Sequence, residues 1–195
     1  MKSKFYLATV LIACLFMVSS CKKNIVKQTT SNSVTLDASS KTEWTYFSFA
    51  TKSVVNIKPN GIKDVPEGTN WDIAFLRTSA RVNCGVSGKG KGGVMMTDFE
   101  NIEDLKSLPT GEFVVDVLGT HVGMPNIEGV PMNEVLSKWA VLNTSSMPPT
   151  VTLSPKVFVI RCADGVTYAK IKFLGYTNDE GGRFYPTFDI VYPFK

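Results

Sequence analysis

Apolar and polar residues alternate with a period of two along much of this 195-residue chain, and that period is the first indication of its architecture. The clearest runs set Trp71, Ile73 and Phe75 against Asp72, Ala74 and Leu76, and Ala169, Ile171 and Phe173 against Lys170 and Lys172. Alternation of this kind places one set of side chains on a buried sheet face and the other outward. Strand-like runs rich in aromatic and β-branched residues are predicted over residues 43–50, 53–58, 70–83, 113–118, 139–143, 156–161, 166–176 and 184–192. Turn residues separate them at Pro59-Asn60-Gly61, Pro66-Glu67-Gly68, Ala163-Asp164-Gly165 and Asn178-Asp179-Glu180-Gly181-Gly182. Asp164-Gly165 between two apolar runs predicts that 156–161 and 166–176 pair antiparallel. Helical periodicity is brief, at residues 101–107 and 133–138. The predicted fold class is mainly β, an irregular antiparallel β-sandwich or stack of sheets, with no internal repeat.

The N-terminus follows another pattern. Lys2 and Lys4 precede residues 5–18, which are apolar and uncharged. That run is shorter than the roughly 20 residues a spanning helix needs, so it predicts a signal peptide. It ends in Val18-Ser19-Ser20-Cys21, small residues directly before a cysteine, which resembles a bacterial lipobox and makes Cys21 the expected lipidation site. Acyl chains on Cys21 would hold the protein to a membrane. Residues 22–35 are polar and aperiodic and read as a flexible tether. The expected organisation is a leader over residues 1–20, a lipidated tether over 21–35 and one β domain over 36–195. Without the leader, which removes two lysines and no acid, 19 basic residues face 17 acidic ones. A balance that close gives no argument for nucleic acid as a partner.

Of four cysteines, Cys14 lies in the leader and Cys21 is the lipidation site, leaving Cys84 and Cys162. An oxidising compartment permits a disulfide between these two, and the sequence leaves paired and free forms open. One histidine and no CxxC pair give zinc no ligand set. The stretch Gly85-Val86-Ser87-Gly88-Lys89-Gly90-Lys91-Gly92 almost spells a phosphate loop. Gly92 stands where a serine or threonine would hold magnesium, and the run opens onto Gly93-Val94-Met95-Met96 instead of a capped helix. A glycine-rich connection with close backbone approach is the better reading. Any histidine-dependent triad must use His121, and nothing near it forms a nucleophile elbow. Asp98, Glu100, Glu103 and Asp104 read as a solvated face. Enzymatic chemistry is not expected.

Residues 117–151 hold three of the seven methionines, Met124, Met132 and Met147, together with the sole histidine, His121. Each of these methionines sits beside a proline or in a turn-rich run. Core methionines usually lie inside periodic apolar segments. These three are therefore read as loop residues, where function concentrates, with simple packing of the loops as the alternative.

Several longer runs carry a family resemblance. They are Glu43-Trp44, Tyr46-Phe47-Ser48-Phe49, Trp71-Asp72-Ile73-Ala74-Phe75, the stretch from Asn83-Cys84-Gly85 to Gly92-Gly93, Val115-Asp116-Val117-Leu118-Gly119, and Val157-Phe158-Val159-Ile160-Arg161-Cys162-Ala163-Asp164-Gly165. In this order, from about Val34 to Lys195, the chain resembles the HmuY family of haem-binding lipoproteins. The resemblance implies an HmuY-like, hemophore-like carrier of haem b (iron protoporphyrin IX). Such a carrier takes haem outside the cell, with host haemoproteins as the source, and passes it to a TonB-dependent outer-membrane receptor. It implies an outer-membrane lipoprotein, expected to face outward. Cys21-Lys22-Lys23-Asn24 lacks the acidic residues associated with surface export, so the periplasmic face stays open.

The best-known members clamp the iron between two histidines, and both are missing from the matching places here. Counting from the shared Leu118-Gly119 puts the first ligand at Met132; the second falls where a Ser-His pair becomes Ser146-Met147. The loop between them is shorter than in the histidine type, so Met124 is the alternative first ligand, and His121 with one methionine is a further one. A thioether is a soft ligand that raises the haem reduction potential, so two methionines favour ferrous haem. Ile127, Val130, Val135 and Leu136 are candidates to line the ring faces. The propionates call for partners such as Thr144, Ser145 and Ser146, or Arg77 and Arg81 if these do not pair with carboxylates elsewhere. The competing reading is a surface lipoprotein that binds glycan or peptide without haem.

Overall fold

Two antiparallel sheets carry most of the chain in the computed structural model, which describes residues 33–195 except 59 and 148. The leader, Cys21 and the tether up to residue 32 lie outside the described residues. The strands are β1 (Ser33–Thr35), β2 (Thr45–Ser48), β3 (Ser53–Val55), β4 (Ile73–Leu76), β5 (Ser79–Val82), β6 (Gly93–Met96) and β7 (Val117–His121). They continue as β8 (Ile127–Met132), β9 (Ala140–Asn143), β10 (Thr150–Leu153), β11 (Val157–Arg161), β12 (Tyr168–Thr177) and β13 (Arg183–Val191). One sheet runs β1-β13-β12-β11-β6 and another β3-β2-β4-β5; the pairs β7-β8 and β9-β10 form two separate hairpins. The protein is nearly all β, with antiparallel sheets. The pairing of β11 with β12 across the Asp164-Gly165 turn is as the sequence predicts. Strand β1 pairs with β13, so residues 33–35, assigned above to the tether, belong to the sheet.

The main core lies between the two larger sheets. Phe47, Ile73 and Phe75 from the four-stranded sheet meet Phe158, Ile171, Phe173 and Phe188 from the five-stranded one, with Trp139 among them. The rings pack mainly edge to face, as between Phe75 and Trp139 at 5.7 Å and Phe75 and Phe173 at 5.9 Å. Each sheet is also covered on its outer face. Trp44, Tyr46, Trp71, Ala74 and Leu76 form a second core with Val130, and Val157 and Val159 form a third with Ile102, Leu105 and Phe194. This layering corrects the expectation of a polar outward face on β4. Ala74 and Leu76 are fully buried, and Asp72 is buried with its carboxylate accepting N–H groups of Phe49 and Ala163 at 2.8 and 3.0 Å. Lys170 is likewise buried and donates to the carbonyls of Ile102 and Leu105, both at 2.7 Å.

Other expectations need correction. Residues 70–83 are not one strand; β4 and β5 form a hairpin whose turn is Arg77-Thr78, with Arg77 in the left-handed region at φ 54°. Residues 101–107 form turns instead of a helix, and the helical run at 133–138 is a single 3₁₀ turn at Leu136–Trp139. Strand β8 lies in a stretch read as loop, and it contains Gly129 and Pro131. Gly129, at φ 68°, is the extra residue of a bulge: Gly119 pairs with Val130 and Thr120 with Glu128. The glycine-rich run is a close-packed connection. A Cβ at Gly88 would lie 2.2 Å from Asn83 Oδ1, and one at Gly90 would lie 2.5 Å from the Asn83 carbonyl oxygen. Asp98, Glu100, Glu103 and Asp104 are all exposed, as expected of a solvated face. Cys84 and Cys162 are free and buried in the main core, which settles the open question of a disulfide. Burial, with Asp116 beside one and Asp72 beside the other, pushes both thiols up to about 12.

Candidate functional site

The hairpins β7-β8 and β9-β10 stand apart from the two larger sheets, and each is anchored at its foot. Asp116 directly precedes β7 and Asn133 directly follows β8. The Asn133 amide donates to Asp116 Oδ1 at 2.8 Å, and Asp116 Oδ2 accepts the Val82 N–H at 2.8 Å, fixing the first hairpin to β5. Burial raises the Asp116 pKa to about 6, although hydrogen bonds from Val82 and Asn133 act to lower it. Trp139 directly precedes the second hairpin, and its indole N–H donates to the Thr78 carbonyl at 3.0 Å.

Between the tips of these hairpins opens a cavity of about 670 Å³. Val122, Gly123, Met124 and Asn126 line it from the β7-β8 loop, and Leu142, Thr144, Met147 and Pro149 from the β9-β10 hairpin. Lys41, Arg77, Thr78, Arg183 and Phe184 complete the wall. Met124 is 99% exposed and Met147 is 89% exposed, so both thioethers are open to an incoming ligand. The loop around Met124 is closed by the Gly123 N–H on Asn126 Oδ1 at 3.1 Å, and that around Met147 is tied to β13 by Arg183 Nη1 on the Pro149 carbonyl at 3.3 Å. The size and the mix of apolar wall with a few polar groups suit a small-molecule site.

Met132 is placed differently. It ends β8, is 8% exposed, and lines a neighbouring cavity of about 380 Å³ with Gly119, Thr120, Glu134 and Lys138. Thr78, Val122 and Leu142 are common to both cavities, which therefore adjoin. The Met132 sulfur lies over Gly119, where an added Cβ would be only 2.7 Å away. Reading all three methionines as loop residues thus holds for Met124 and Met147 and not for Met132, which is on a strand. His121 is 3% exposed, with Nδ1 hydrogen-bonded to Ser79 Oγ at 2.8 Å. Burial first, and the Arg77 charge second, lower its pKa and favour the neutral ring.

Among the candidate ring-lining residues, Val130 is packed in the second core, Leu136 is buried in the main core with Val135 packed against it, and Ile127 packs on the second core. None of the four lines the larger cavity. Of the anion partners, Thr144 and Arg77 line it and Arg81 does not. Arg81 is fully buried, its guanidinium 4.3 Å from the Trp44 ring centre and 5.0 Å from that of Tyr46, and it donates to the Asp64 carbonyl at 2.9 Å. Burial pushes it down to about 9. Sequence reasoning missed Lys41, Arg183 and Phe184; strand β13 brings the last two beside a hairpin more than thirty residues earlier, and no local signal marks them.

Comparison with known proteins is consistent with this architecture. The family described as HmuY protein matches residues 40–190. A provisionally assigned HmuY-like heme-binding protein of Bacteroides vulgatus is 33% identical, with 85% of this chain and 94% of that chain covered at a TM-score of 0.65. A provisionally assigned lipoprotein of Bacteroides fragilis is 31% identical, with 86% and 92% covered at a TM-score of 0.67. The apo form of an HmuY analogue of Tannerella forsythia is 27% identical, with 81% and 93% covered at a TM-score of 0.60. A search of the curated proteins finds no match. Family match and fold agree over nearly the whole described chain, and the protein belongs to the HmuY family.

Proposed function

We propose that this protein is a haem carrier that takes haem b into the cavity between the β7-β8 and β9-β10 hairpins, with Met124 and Met147 as axial ligands. One observation carries the reading: two exposed methionines, on loops of two different hairpins, line a single cavity in a chain of the HmuY family. Met124 and Met147 would hold the iron from two separate loops of the chain. Met132 is the competing first ligand, from the adjoining cavity; its burial under Gly119 argues against it. The rest of the carrier reading is that Cys21 is lipidated at the outer membrane, that host haemoproteins supply the haem, and that a TonB-dependent receptor accepts it. Support for these steps is the lipobox pattern at residues 18–21 together with family membership.

The residues present suit the group. Thioethers are soft ligands known to hold haem iron and raise its potential, so bound haem is favoured in its ferrous form. The chain's own contribution is to hold two sulfurs on anchored hairpins and to supply apolar walls that exclude water from the ring. A redox-controlled titration of purified protein tests this. A low-spin spectrum strongest after dithionite is expected, and Met124→Ala and Met147→Ala should each weaken ferrous binding while Met132→Ala leaves it unchanged. Loss of binding in Met132→Ala but not Met124→Ala would return the first ligand to β8. Haem that stays free in both oxidation states would refute the carrier reading and favour a glycan- or peptide-binding lipoprotein.

A further inference from the structure

Resting on that reading, we infer that Arg77 recognises a carboxylate of the bound tetrapyrrole, so that the site selects porphyrins with free carboxylates over their esters. The larger cavity is lined by three cationic side chains, Lys41, Arg77 and Arg183, and by no aspartate or glutamate. The adjoining one, by contrast, carries both Glu134 and Lys138. An apolar ring alone does not call for that imbalance; an anionic edge does.

Arg77 is the member of the three that lies against an aromatic ring at the cavity wall. Its guanidinium carbon lies 4.2 Å from the centre of the Phe184 ring. Among the described residues only Lys52, Arg77 and Phe184 are non-glycine residues with positive φ, and two of the three, at 54° and 70°, stack on one another at the cavity wall. Hairpin turns usually meet the left-handed requirement with glycine, asparagine or aspartate, so turn chemistry does not explain an arginine there. Unfavourable backbone geometry kept at a cavity wall is a pointer to function.

The guanidinium also has unused capacity. Its Nε is buried without a hydrogen-bond partner, and neither ion pair found among the described residues involves Arg77. Its histidine neighbour, His121, offers no negative charge and already has Ser79 as a partner. Arg183 is partly committed to the Pro149 carbonyl. A planar donor fork held against an aromatic face, facing a cavity without acids, is suited to bidentate capture of a carboxylate.

The test is a titration of the purified full chain, under reducing conditions, with iron protoporphyrin IX and with its dimethyl ester. Wild type is expected to bind the ester roughly ten- to a hundredfold more weakly, the range for a lost charge-assisted hydrogen bond. Arg77→Met should weaken the free acid to the level of the ester and leave ester affinity unchanged, and Arg77→Lys, which keeps charge without the fork, should fall between. The ligand-side comparison needs no variant and so holds even if a substitution disturbs folding. Equal affinity of wild type for acid and ester would overturn the inference and leave the haem reading standing, as would an Arg77→Met variant that keeps the wild-type fold by circular dichroism and loses both ligands alike. Wild type that binds neither porphyrin would overturn both.

Discussion

Asp116 stands at the foot of the hairpin that carries Met124, and its environment makes a specific statement about pH. The residue is 2% exposed, and it accepts hydrogen bonds from Val82 and Asn133, each at 2.8 Å. Burial outweighs these bonds and raises the pKa from 3.8 to about 6. A carboxyl whose folded pKa exceeds its unfolded value binds more protons in the folded state, so its contribution to stability declines as pH rises through that window. The full effect of a shift from 3.8 to about 6 is about 3 kcal/mol, and about half of it falls between pH 5 and 7.5. Asp116→Asn removes the titration. It also turns one acceptor into a donor, against either Val82 N–H or the Asn133 amide, at a cost of about 1–3 kcal/mol that does not depend on pH. The slope is therefore the readout.

Urea unfolding of wild type and Asp116→Asn at pH 5 and 7.5 is expected to show wild type gaining about 1–2 kcal/mol on the variant at the lower pH. Two other perturbed groups titrate nearby in pH. Asp72 is raised by burial and acts in the same direction; His121 is lowered by burial and costs stability as pH falls below its ordinary value. Both are present in each protein, so they cancel in the difference. Parallel pH curves would show that Asp116 titrates at its ordinary value. A wild type that loses ground at pH 5 would show that its hydrogen bonds outweigh its burial. Either result refutes the reasoning.

Three further outcomes are expected. Trp139→Ala removes a fully buried ring packed on Phe173 at 4.9 Å and frees the Thr78 carbonyl; chemical denaturation should show a loss of about 3–5 kcal/mol, and a loss below about 1 kcal/mol would contradict its central place in the core. Gly90→Ala drives a methyl to 2.5 Å from the Asn83 carbonyl oxygen and should cost about 1–3 kcal/mol in the same assay, whereas a neutral result would mean that the connection yields freely. Dilute peroxide should convert Met124 and Met147, 99% and 89% exposed, to sulfoxides well before Met132 at 8%, as read by peptide mass spectrometry, and bound haem should protect the first two. Protection of Met132 alone would point to the adjoining cavity.

What was legible in the sequence follows from the range of the forces involved. Period-two alternation and the Asp164-Gly165 turn report local geometry, and they gave the all-β class and the β11-β12 hairpin. Burial on the far side of a sheet depends on what the rest of the chain lays over it. The outward reading of Ala74 and Leu76 therefore failed once Trp44, Trp71 and Val130 covered that face. Strand β8 was hidden by its own Gly129 and Pro131, residues that weaken strand propensity yet are accommodated in a bulged two-stranded hairpin. Lys41, Arg183 and Phe184 reach the cavity from distant parts of the chain, so no spacing within 117–151 could have named them.

The same distinction bears on the proposal that Met124, and not Met132, is the first ligand. Counting from Leu118-Gly119 without a gap matches Met132 to the family's first ligand position, whereas a gap in the shorter loop leaves Met124 there. In an antiparallel hairpin the chain goes out to the tip and comes back, so Met132 pairs with Val117 at the foot while Met124 sits at the turn. The foot is where Asp116 and Asn133 lock the hairpin to the core and where a sulfur fills the space above Gly119. The tip is where a side chain can remain 99% exposed and still be held by a backbone closed on Asn126. A ligand that must bind and leave needs the second environment, because a sulfur already packed gives up its contacts in order to coordinate. Met147, on the other hairpin's loop, satisfies the same condition. If that argument is sound, Met132 should not replace Met124 even when its surroundings are opened: in Met124→Ala, enlarging access to Met132 with Leu142→Ala should leave ferrous affinity as low as in Met124→Ala alone, and recovery of affinity would show that the foot of the hairpin can supply a ligand.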